Sequence, residues 1–133
     1  MRYLADVNIL VAWTWEAHSC HDRVENWIKS LQKQSGSALL TCAITELGFL
    51  RVSLQIPGYS IDITGAQAAL SSMKNARQLG HLFISDDISG TVLPDWVRTP
   101  RQLTDAHLTQ LAAAAQAQLA TLDRGIPGAF VIP

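Results

Sequence analysis

The sequence predicts an α/β protein whose mostly parallel central sheet carries helices on both faces. Short apolar runs that suit buried strands alternate with segments whose apolar residues recur every three or four positions, which is typical of helices. The chain has 133 residues, of which 48% are hydrophobic and 16% are charged, so it can form a packed core. We therefore expect one folded domain over residues 1–133.

The predicted strands are short and are bounded by turn or cap residues. We place them at 2–5, 38–42, 81–84 and 119–122, with two further candidates at 96–99 and 129–132. The last of these would lie at the edge of the sheet. Because parallel strands need long crossover connections, the segments between them should contain helices.

The predicted helices fill the segments between the strands. We place them at 9–16, 19–34, 43–55, 64–79 and 104–118, with a short turn or helix at 86–93. The second is marked by apolar side chains at helical spacing, namely Val24, Trp27, Ile28 and Leu31. Three residues are suited to cap helix starts, namely Asn8, Thr64 and Thr104. Gly80 is suited to end the fourth helix.

Four carboxylates stand where the chain leaves a strand or enters a helix. They are Asp6, Glu46, Asp105 and Asp123. Each alone has a structural explanation, such as a helix cap or a favourable position in the helix dipole. In a parallel sheet, however, such positions converge at one rim, where four like charges would repel one another. Mg²⁺ or Mn²⁺ would remove that repulsion, so the pattern predicts a metal site that acts on phosphate esters.

Other polar residues have simpler explanations. Asp86 and Asp87 also follow a strand, but their position before an apolar residue suits a helix cap. His107 lies two residues beyond Asp105 and so on another face of the helix, which favours a packing or hydrogen-bonding role over that of a general base. A zinc site lacks a fourth ligand near its candidate ligands His18, Cys20 and His21.

Each of the four carboxylates lies in a short motif, and the motifs are DVNIL, TELGFLR, TDAHLTQLA and LATLDRG. Together they resemble the four acidic motifs of PIN-domain ribonucleases, most closely those of VapC-type toxins from type II toxin–antitoxin pairs. The motifs extend from residue 3 to residue 125, so the resemblance covers nearly the whole chain. Val7 departs from the pattern, because many relatives carry Thr there.

The resemblance implies a PIN-like fold and an endoribonuclease that depends on Mg²⁺ or Mn²⁺. The metal would be held by Asp6, Glu46, Asp105 and Asp123, and it would activate a water for attack on the phosphodiester. Asn8 and Thr104 would orient these carboxylates, and Arg124 would contact the phosphate backbone. The products would carry a 5′-phosphate and a 3′-hydroxyl.

The resemblance also implies a homodimer and a protein antitoxin that masks the nuclease. The first two predicted helices carry three tryptophans, Trp13, Trp15 and Trp27, which would offer an apolar surface to an amphipathic helix of the antitoxin. An antitoxin arginine could then pair with the acidic residues and displace the metal.

The net charge of −1 provides no general basic field for nucleic acid. An RNase would therefore need local cations, and the candidates are Arg2, Arg51, Arg98, Arg101 and Arg124. Cys20 and Cys42 do not form a disulfide framework, and the sequence shows neither a signal peptide nor an apolar stretch of about 18 residues. We therefore expect a cytoplasmic protein.

Two other functional classes remain as alternatives. A binding module could keep the PIN-like fold without catalysis, although all four carboxylates are present. A phospho-accepting receiver domain would need adjacent acids after the first strand and a lysine after the last. The first strand is instead followed by Asp6, Val7 and Asn8, and the only lysines are Lys29, Lys33 and Lys74.

Overall fold

The computed structural model describes residues 1–76 and 78–133, and a five-stranded sheet forms its centre. The strands are β1 (Arg2–Ala5), β2 (Ala38–Thr41), β3 (Gly80–Phe83), β4 (Gln118–Thr121) and β5 (Phe130–Val131). The helices are α1 (Val7–Thr14), α2 (His21–Gln32), α3 (Ala43–Leu54), α4 (Ile63–Lys74) and α5 (Leu103–Ala114), and a 3₁₀ turn over Pro100–Gln102 leads into α5.

The strand order is β3-β2-β1-β4-β5, and every neighbouring pair is parallel. The predicted parallel sheet is therefore confirmed, as is the edge position of the last strand. Because all strands run the same way, the residues that follow them emerge at one carboxyl-terminal rim. The central strand β1 lies between β2 and β4, so the residues after these three strands are neighbours at that rim.

Helices cover both faces of the sheet, as predicted. Side chains alternate along β1, so Tyr3 and Ala5 join a buried cluster with residues of α1 to α4. Leu4 points to the opposite face and packs in a second cluster with Leu108 and Leu111 of α5. None of the helices in the described part of the chain combines the length and the apolar character needed to cross a membrane.

Helices α1 and α3 approach each other closely at Gly48. A β-carbon at Gly48 would lie only 2.5 Å from a γ-carbon of Val7. Such a contact is too short for real atoms, so α3 needs glycine at this position to pack against α1. The approach places the start of α1, which follows β1, beside the first turns of α3, which follows β2.

Two predicted helix starts were wrong because an aspartate takes the capping role. The Oδ1 of Asp6 accepts a hydrogen bond from the amide of Val7 at 2.7 Å, so α1 begins before Asn8. At α4, Oδ1 of Asp62 accepts from the amide of Gly65 at 2.7 Å, and Thr64 lies within the first turn. The helix ends at Lys74, before the predicted end at 79; residue 77 lies outside the described residues.

The segment between β3 and α5 differs most from prediction. Residues 96–99, predicted as a strand, form turns, because the Oε1 of Gln102 accepts hydrogen bonds from the amides of Arg98 and Thr99. Residues 86–93, predicted as a short turn or helix, form a turn at Gly90 and Thr91, and this described segment contains no helix. Thr104 was expected to cap α5 but is its second residue.

Candidate metal centre

Three aspartates converge at the rim of the sheet. Asp6 follows β1, Asp123 follows the neighbouring β4, and Asp105 lies in the first turn of α5. Burial raises the pKa of Asp105, and the charges of Asp6 and Asp123 raise it further. Burial also raises the pKa of Asp6, and the charge of Asp123 adds to the effect. Asp6 and Asp105 therefore lie close enough to neighbouring carboxylates for like charge to disfavour their ionisation.

The hydroxyl of Thr121 links this acidic group to the end of β4. It donates to Oδ2 of Asp6 at 2.7 Å, and this bond opposes the rise in the pKa of Asp6. The same oxygen accepts from the amide of Asp123 at 3.0 Å and from Nδ2 of Asn8 at 3.1 Å. Asn8 also accepts from the amide of Leu122 at 3.2 Å. One buried threonine thus fixes the orientation of Asp6 and the turn that carries Asp123.

The acidic group opens to solvent through a cleft of about 360 Å³. Asp105 and Asp123 line the cleft, together with Arg101 from the 3₁₀ turn. The turn at Asp123 is held by the amide of Gly125, which donates to Oδ1 of Asp123 at 2.7 Å. A polyanion that enters this cleft meets both the carboxylates and one cation.

Glu46 lies in the first turn of α3 but is held by a different set of partners. The Nζ of Lys74 lies 3.0 Å from its Oε2 and 3.2 Å from its Oε1. The hydroxyl of Thr41 donates to Oε2, and the ring of His81 bonds the same hydroxyl at 2.8 Å. The structure therefore brings the three predicted aspartates together, whereas Glu46 is in an ion pair with α4.

The donor set at the three aspartates fits a hard divalent cation. All the donors are carboxylate oxygens, which Mg²⁺ and Mn²⁺ prefer to the nitrogen and sulfur donors of softer metals. Asp6 is 8% exposed, and both Asp6 and Asp105 have raised pKa values, so the unneutralised group is electrostatically unfavourable. A divalent charge would offset that cost.

Relatives of known class share nearly the whole chain. Ribonuclease VapC38 of Mycobacterium tuberculosis is 36% identical over 128 residues, which cover 92% of this chain and 86% of that protein. Ribonuclease VapC44 of the same organism is 36% identical over 130 residues, covering 95% and 89%. This chain belongs to the VapC family of ribonucleases. Ribonuclease VapC39 is 32% identical over 95% of this chain. No family model matches this chain.

A solved structure has the same fold as this VapC chain. The VapBC2 complex of Rickettsia felis, solved with a DNA fragment from its promoter, matches with a TM-score of 0.62. The match covers 98% of this chain and 97% of the other at 16% sequence identity. The predicted PIN-like α/β class is therefore confirmed.

The remaining predicted site residues of this VapC chain have different positions. Asn8 lies in the network around Thr121. Thr104 is exposed and lines a separate cavity beside His107, so the predicted role of orienting the carboxylates falls to Thr121 instead. Sequence reasoning missed Thr121, although a buried hydroxyl at the end of an apolar strand was the available signal. Arg124 is exposed in the turn after β4.

Other polar groups hold the fold or stand apart from the aspartates. His107 pairs with Asp86 at 2.5 Å and so ties α5 to the segment after β3. His21, Asp22 and Glu25, in the first turns of α2, have ligand atoms within 4.8 Å of one another. The Nδ1 of His21 donates to the carbonyl oxygen of Ala12 at 2.8 Å, which joins α2 to α1. His18 and Cys20, the other residues considered for zinc, are not part of this group.

The three tryptophans differ in exposure. Trp27 is only 6% exposed and packs against Tyr3 and Phe130, so burial removes it from the surface proposed for an antitoxin. Trp13 and Trp15 are half-buried. Trp15 stacks on Phe49, and its Nε1 donates to Oγ of Ser53 at 2.9 Å, but the ring also lines an open pocket of about 330 Å³.

Proposed function

We propose that this VapC chain is a Mg²⁺- or Mn²⁺-dependent endoribonuclease and acts as the toxin of a toxin–antitoxin pair. The observation that supports the metal site is the convergence of Asp6, Asp105 and Asp123: burial and the charges of the other two aspartates raise the pKa of Asp105, and burial and the charge of Asp123 raise that of Asp6. The family supports RNA as the substrate, because its relatives are named ribonucleases. We expect the reaction to take place in the cytoplasm, since RNA is the proposed substrate.

The metal, when bound, supplies Lewis acidity and lowers the pKa of a water. The chain's own residues provide the geometry. Thr121 holds Asp6 through Oδ2. The turn at Asp123 and the first turn of α5 face the same cleft. Arg101 lines that cleft and is placed to pair with a phosphate oxygen of the RNA. Arg124, in the exposed turn beyond β4, would contact the backbone farther along.

Glu46 is proposed as the fourth metal ligand. To take that role, its carboxylate would leave Lys74, because the lysine now contacts both of its oxygens. An exchange of partners is plausible in energy, since the ion pair is partly exposed, with 30% of the lysine side chain and 15% of the glutamate side chain accessible.

The proposed partners are an antitoxin and a second copy of the chain. Trp13 and Trp15 remain the candidate antitoxin contacts, and the pocket beside Trp15 could receive an apolar side chain of a partner helix. A twofold homodimer is the commonest oligomer, and exposed apolar side chains at Val92 and Leu103 provide material for an interface. Sedimentation of the isolated protein at micromolar concentration tests the dimer, and a monomer would contradict it.

Cleavage of RNA by matched variants tests the proposed activity. Asp105→Asn removes one carboxylate charge with little change in volume and should abolish cleavage in Mg²⁺ or Mn²⁺. Asp95→Asn makes the same change in an exposed turn and should cleave as the wild type does. A folded Asp105→Asn protein that still cleaves RNA would remove Asp105 from the catalytic site.

The same assay decides between the nuclease and the noncatalytic binding module. If the chain is a binding module, the wild type should bind RNA or the antitoxin but should cleave no RNA with any divalent metal. If the wild type does cleave RNA, induction of the gene followed by mapping of new 5′-phosphate ends across total RNA would identify the substrate.

A further inference from the structure

An open trough borders Glu46 and, among the described residues, shares no lining residue with the cleft at Asp105 and Asp123. It has a volume of about 570 Å³ and runs between α3, α4 and the outer strand β3. Glu46 and Leu47 of α3 form one wall, Lys74 of α4 the opposite wall, and His81 and Phe83 of β3 the end. The trough therefore begins at a proposed metal ligand and extends to the edge of the sheet.

Phe83 is unusually placed for a large apolar residue. It is the last residue of β3, at the carboxyl-terminal rim, and it is 53% exposed. The Nζ of Lys74 lies 5.2 Å from the centroid of its ring, within the range of a cation–π contact. An exposed aromatic ring beside a lysine is the pair of groups with which proteins hold a nucleotide of a single strand, the ring for the base and the cation for the phosphate.

The walls of the trough suit nucleic acid better than an apolar helix. Its α4 wall carries the side chains of Gln67, Ser71 and Asn75, which can donate or accept hydrogen bonds. Apart from Glu46, the α3 wall is apolar, and Leu47 on it is 58% exposed. Bases have apolar faces and polar edges, so a trough with one wall of each kind matches them on both counts.

The charge balance of the trough changes when a metal binds. Glu46 and Lys74 now neutralise each other, so the metal-free trough would hold RNA through stacking on Phe83 and hydrogen bonds, with little contribution from Lys74. A metal ion that binds the carboxylate of Glu46 would leave Lys74 without its ion-pair partner. The free lysine would then lie in the trough, where the RNA is proposed to bind. The contribution of Lys74 to RNA binding should therefore increase when the proposed catalytic site is filled, whereas stacking on Phe83 does not depend on the metal.

We propose that this trough binds single-stranded RNA next to the cleavage site, with Phe83 stacking on a base and Lys74 transferring from Glu46 to a phosphate. The proposal rests on the proposed ribonuclease function and names the path of its substrate. Its occupant is RNA, and a protein helix in the same trough is a competing outcome of the test.

Binding of RNA without cleavage tests the role of Phe83. A fluorescein-labelled single-stranded RNA of about 12 nucleotides is titrated with protein in EDTA and followed by anisotropy. Phe83→Ala and Phe83→Leu should each raise the dissociation constant about fivefold or more, whereas Phe83→Trp should keep the wild-type value. Phe83→Leu preserves an apolar side chain in case Phe83→Ala perturbs the strand.

Leu82→Ala is the matched control for this experiment. Leu82 is the preceding residue of β3, is 45% exposed, and points to the other face of the sheet. Its variant should bind RNA as the wild type does. Equal RNA affinities for the Phe83 and Leu82 variants would overturn the proposal. The proposal would also be overturned if Phe83→Ala bound RNA as the wild type does but lost affinity for the co-encoded antitoxin or no longer self-associated.

Lys74 is tested by two readouts that a structural role would not move together. Lys74→Met keeps the apolar stem, frees Glu46, and should therefore bind Mn²⁺ more tightly in a calorimetric titration. The same variant should show a KM for RNA several-fold higher with kcat little changed, and Lys74→Arg should restore the KM. Unchanged Mn²⁺ affinity and unchanged KM would overturn the transfer of Lys74 to phosphate.

The outcomes separate this proposal from the ribonuclease assignment. A wild-type protein that binds RNA through Phe83 in EDTA but never cleaves it with metal would contradict the nuclease and leave the trough as an RNA site. If the wild type cleaves RNA and neither Phe83→Ala nor Phe83→Leu changes the KM, the nuclease assignment would stand and the trough would be contradicted as an RNA site.

Discussion

The hydroxyl of Thr121 donates to a carboxylate oxygen of Asp6 at 2.7 Å, although 114 residues separate the two in the sequence. The bond exists because β1 and β4 are neighbours in the sheet, with Ala5 paired to Ala120. It gives Asp6 a fixed orientation from outside its own helix. The carboxylate that caps α1 is thereby also the one oriented toward the proposed metal site.

Thr121→Val should weaken metal binding while preserving the fold. Valine has nearly the shape of threonine but donates no hydrogen bond, so Asp6 would lose its fixed orientation and the hydroxyl acceptor of the Asp123 amide would disappear. Loss of such an orienting group typically lowers metal affinity or activity by about 10- to 100-fold. A Mn²⁺ titration and an RNA-cleavage assay measure both. Thr121→Ser retains the hydroxyl and should recover most of the loss.

Metal should raise the stability of the wild type through linkage. A ligand that binds only the folded state stabilises it in proportion to the logarithm of its concentration over its dissociation constant. Millimolar Mg²⁺ or Mn²⁺ should therefore raise the Tm, and EDTA should reverse the change. The double variant Asp6→Asn/Asp123→Asn should not respond. An equal response in both proteins would place the metal elsewhere, with the His21–Asp22–Glu25 group as the next site to test.

Protonation of Asp6 and Asp105 should stabilise the metal-free protein as the pH falls below neutrality, whereas the lowered pKa of His81 acts in the opposite direction. Asp6 and Asp105 have raised pKa values in the folded state, so the folded protein takes up their protons at a higher pH than the unfolded chain does. Their destabilising effect is therefore full at neutral pH and is lost as pH falls through the folded pKa values towards the unfolded value of about 3.9.

Asp105→Asn provides the comparison for this pH dependence. In EDTA it should melt at a higher temperature than the wild type at neutral pH, because it removes a charge repelled by Asp6 and Asp123. The difference should shrink as the pH falls through the raised pKa of Asp105, because the wild-type carboxyl group then loses its charge. A difference that stays constant over this range would mean that repulsion among these carboxylates does not limit stability.

Gly48→Ala should destabilise the fold by about 1–3 kcal/mol, since the new methyl group would overlap Val7 and the β-branched valine has little freedom to move. The higher helix propensity of alanine offsets about 1 kcal/mol of this cost. Chemical denaturation measures the change. Val7→Ala makes room for the methyl group, so the double variant should lose less stability than the sum of the two single variants. Additive losses would show that the two residues do not compete for the same space.

The position of the aspartates could be predicted because it depends on a local pattern. Asp6 and Asp123 each follow an apolar run, and the parallel sheet brings the ends of such runs together whatever the exact boundaries of the strands. The motifs around them led to the VapC family, to which the chain belongs. The predicted strands at 2–5 and 119–122 were correspondingly close to β1 and β4.

The features that the sequence did not predict depend on contacts between distant segments of the chain. Thr104 was chosen to orient carboxylates because it is adjacent to Asp105, whereas Thr121 does so through sheet pairing. The partner of Glu46 is Lys74, 28 residues away, and no local pattern predicts which face of α4 meets α3. Trp27 was predicted to offer part of an apolar surface to the antitoxin. The second helix buries it in an aromatic cluster with Tyr3 and Phe130.

The long separation between Asp6 and Thr121 has a consequence for synthesis on the ribosome. The first strand of the sheet emerges early, but its carboxylate has no orienting hydroxyl until the fourth strand has also left the ribosome and paired beside it. A nascent or prematurely terminated chain that lacks β4 therefore carries the first aspartate of the site without the means to position it. Under the proposed nuclease function, such incomplete copies should lack activity, which would spare the RNA of the cell that makes them.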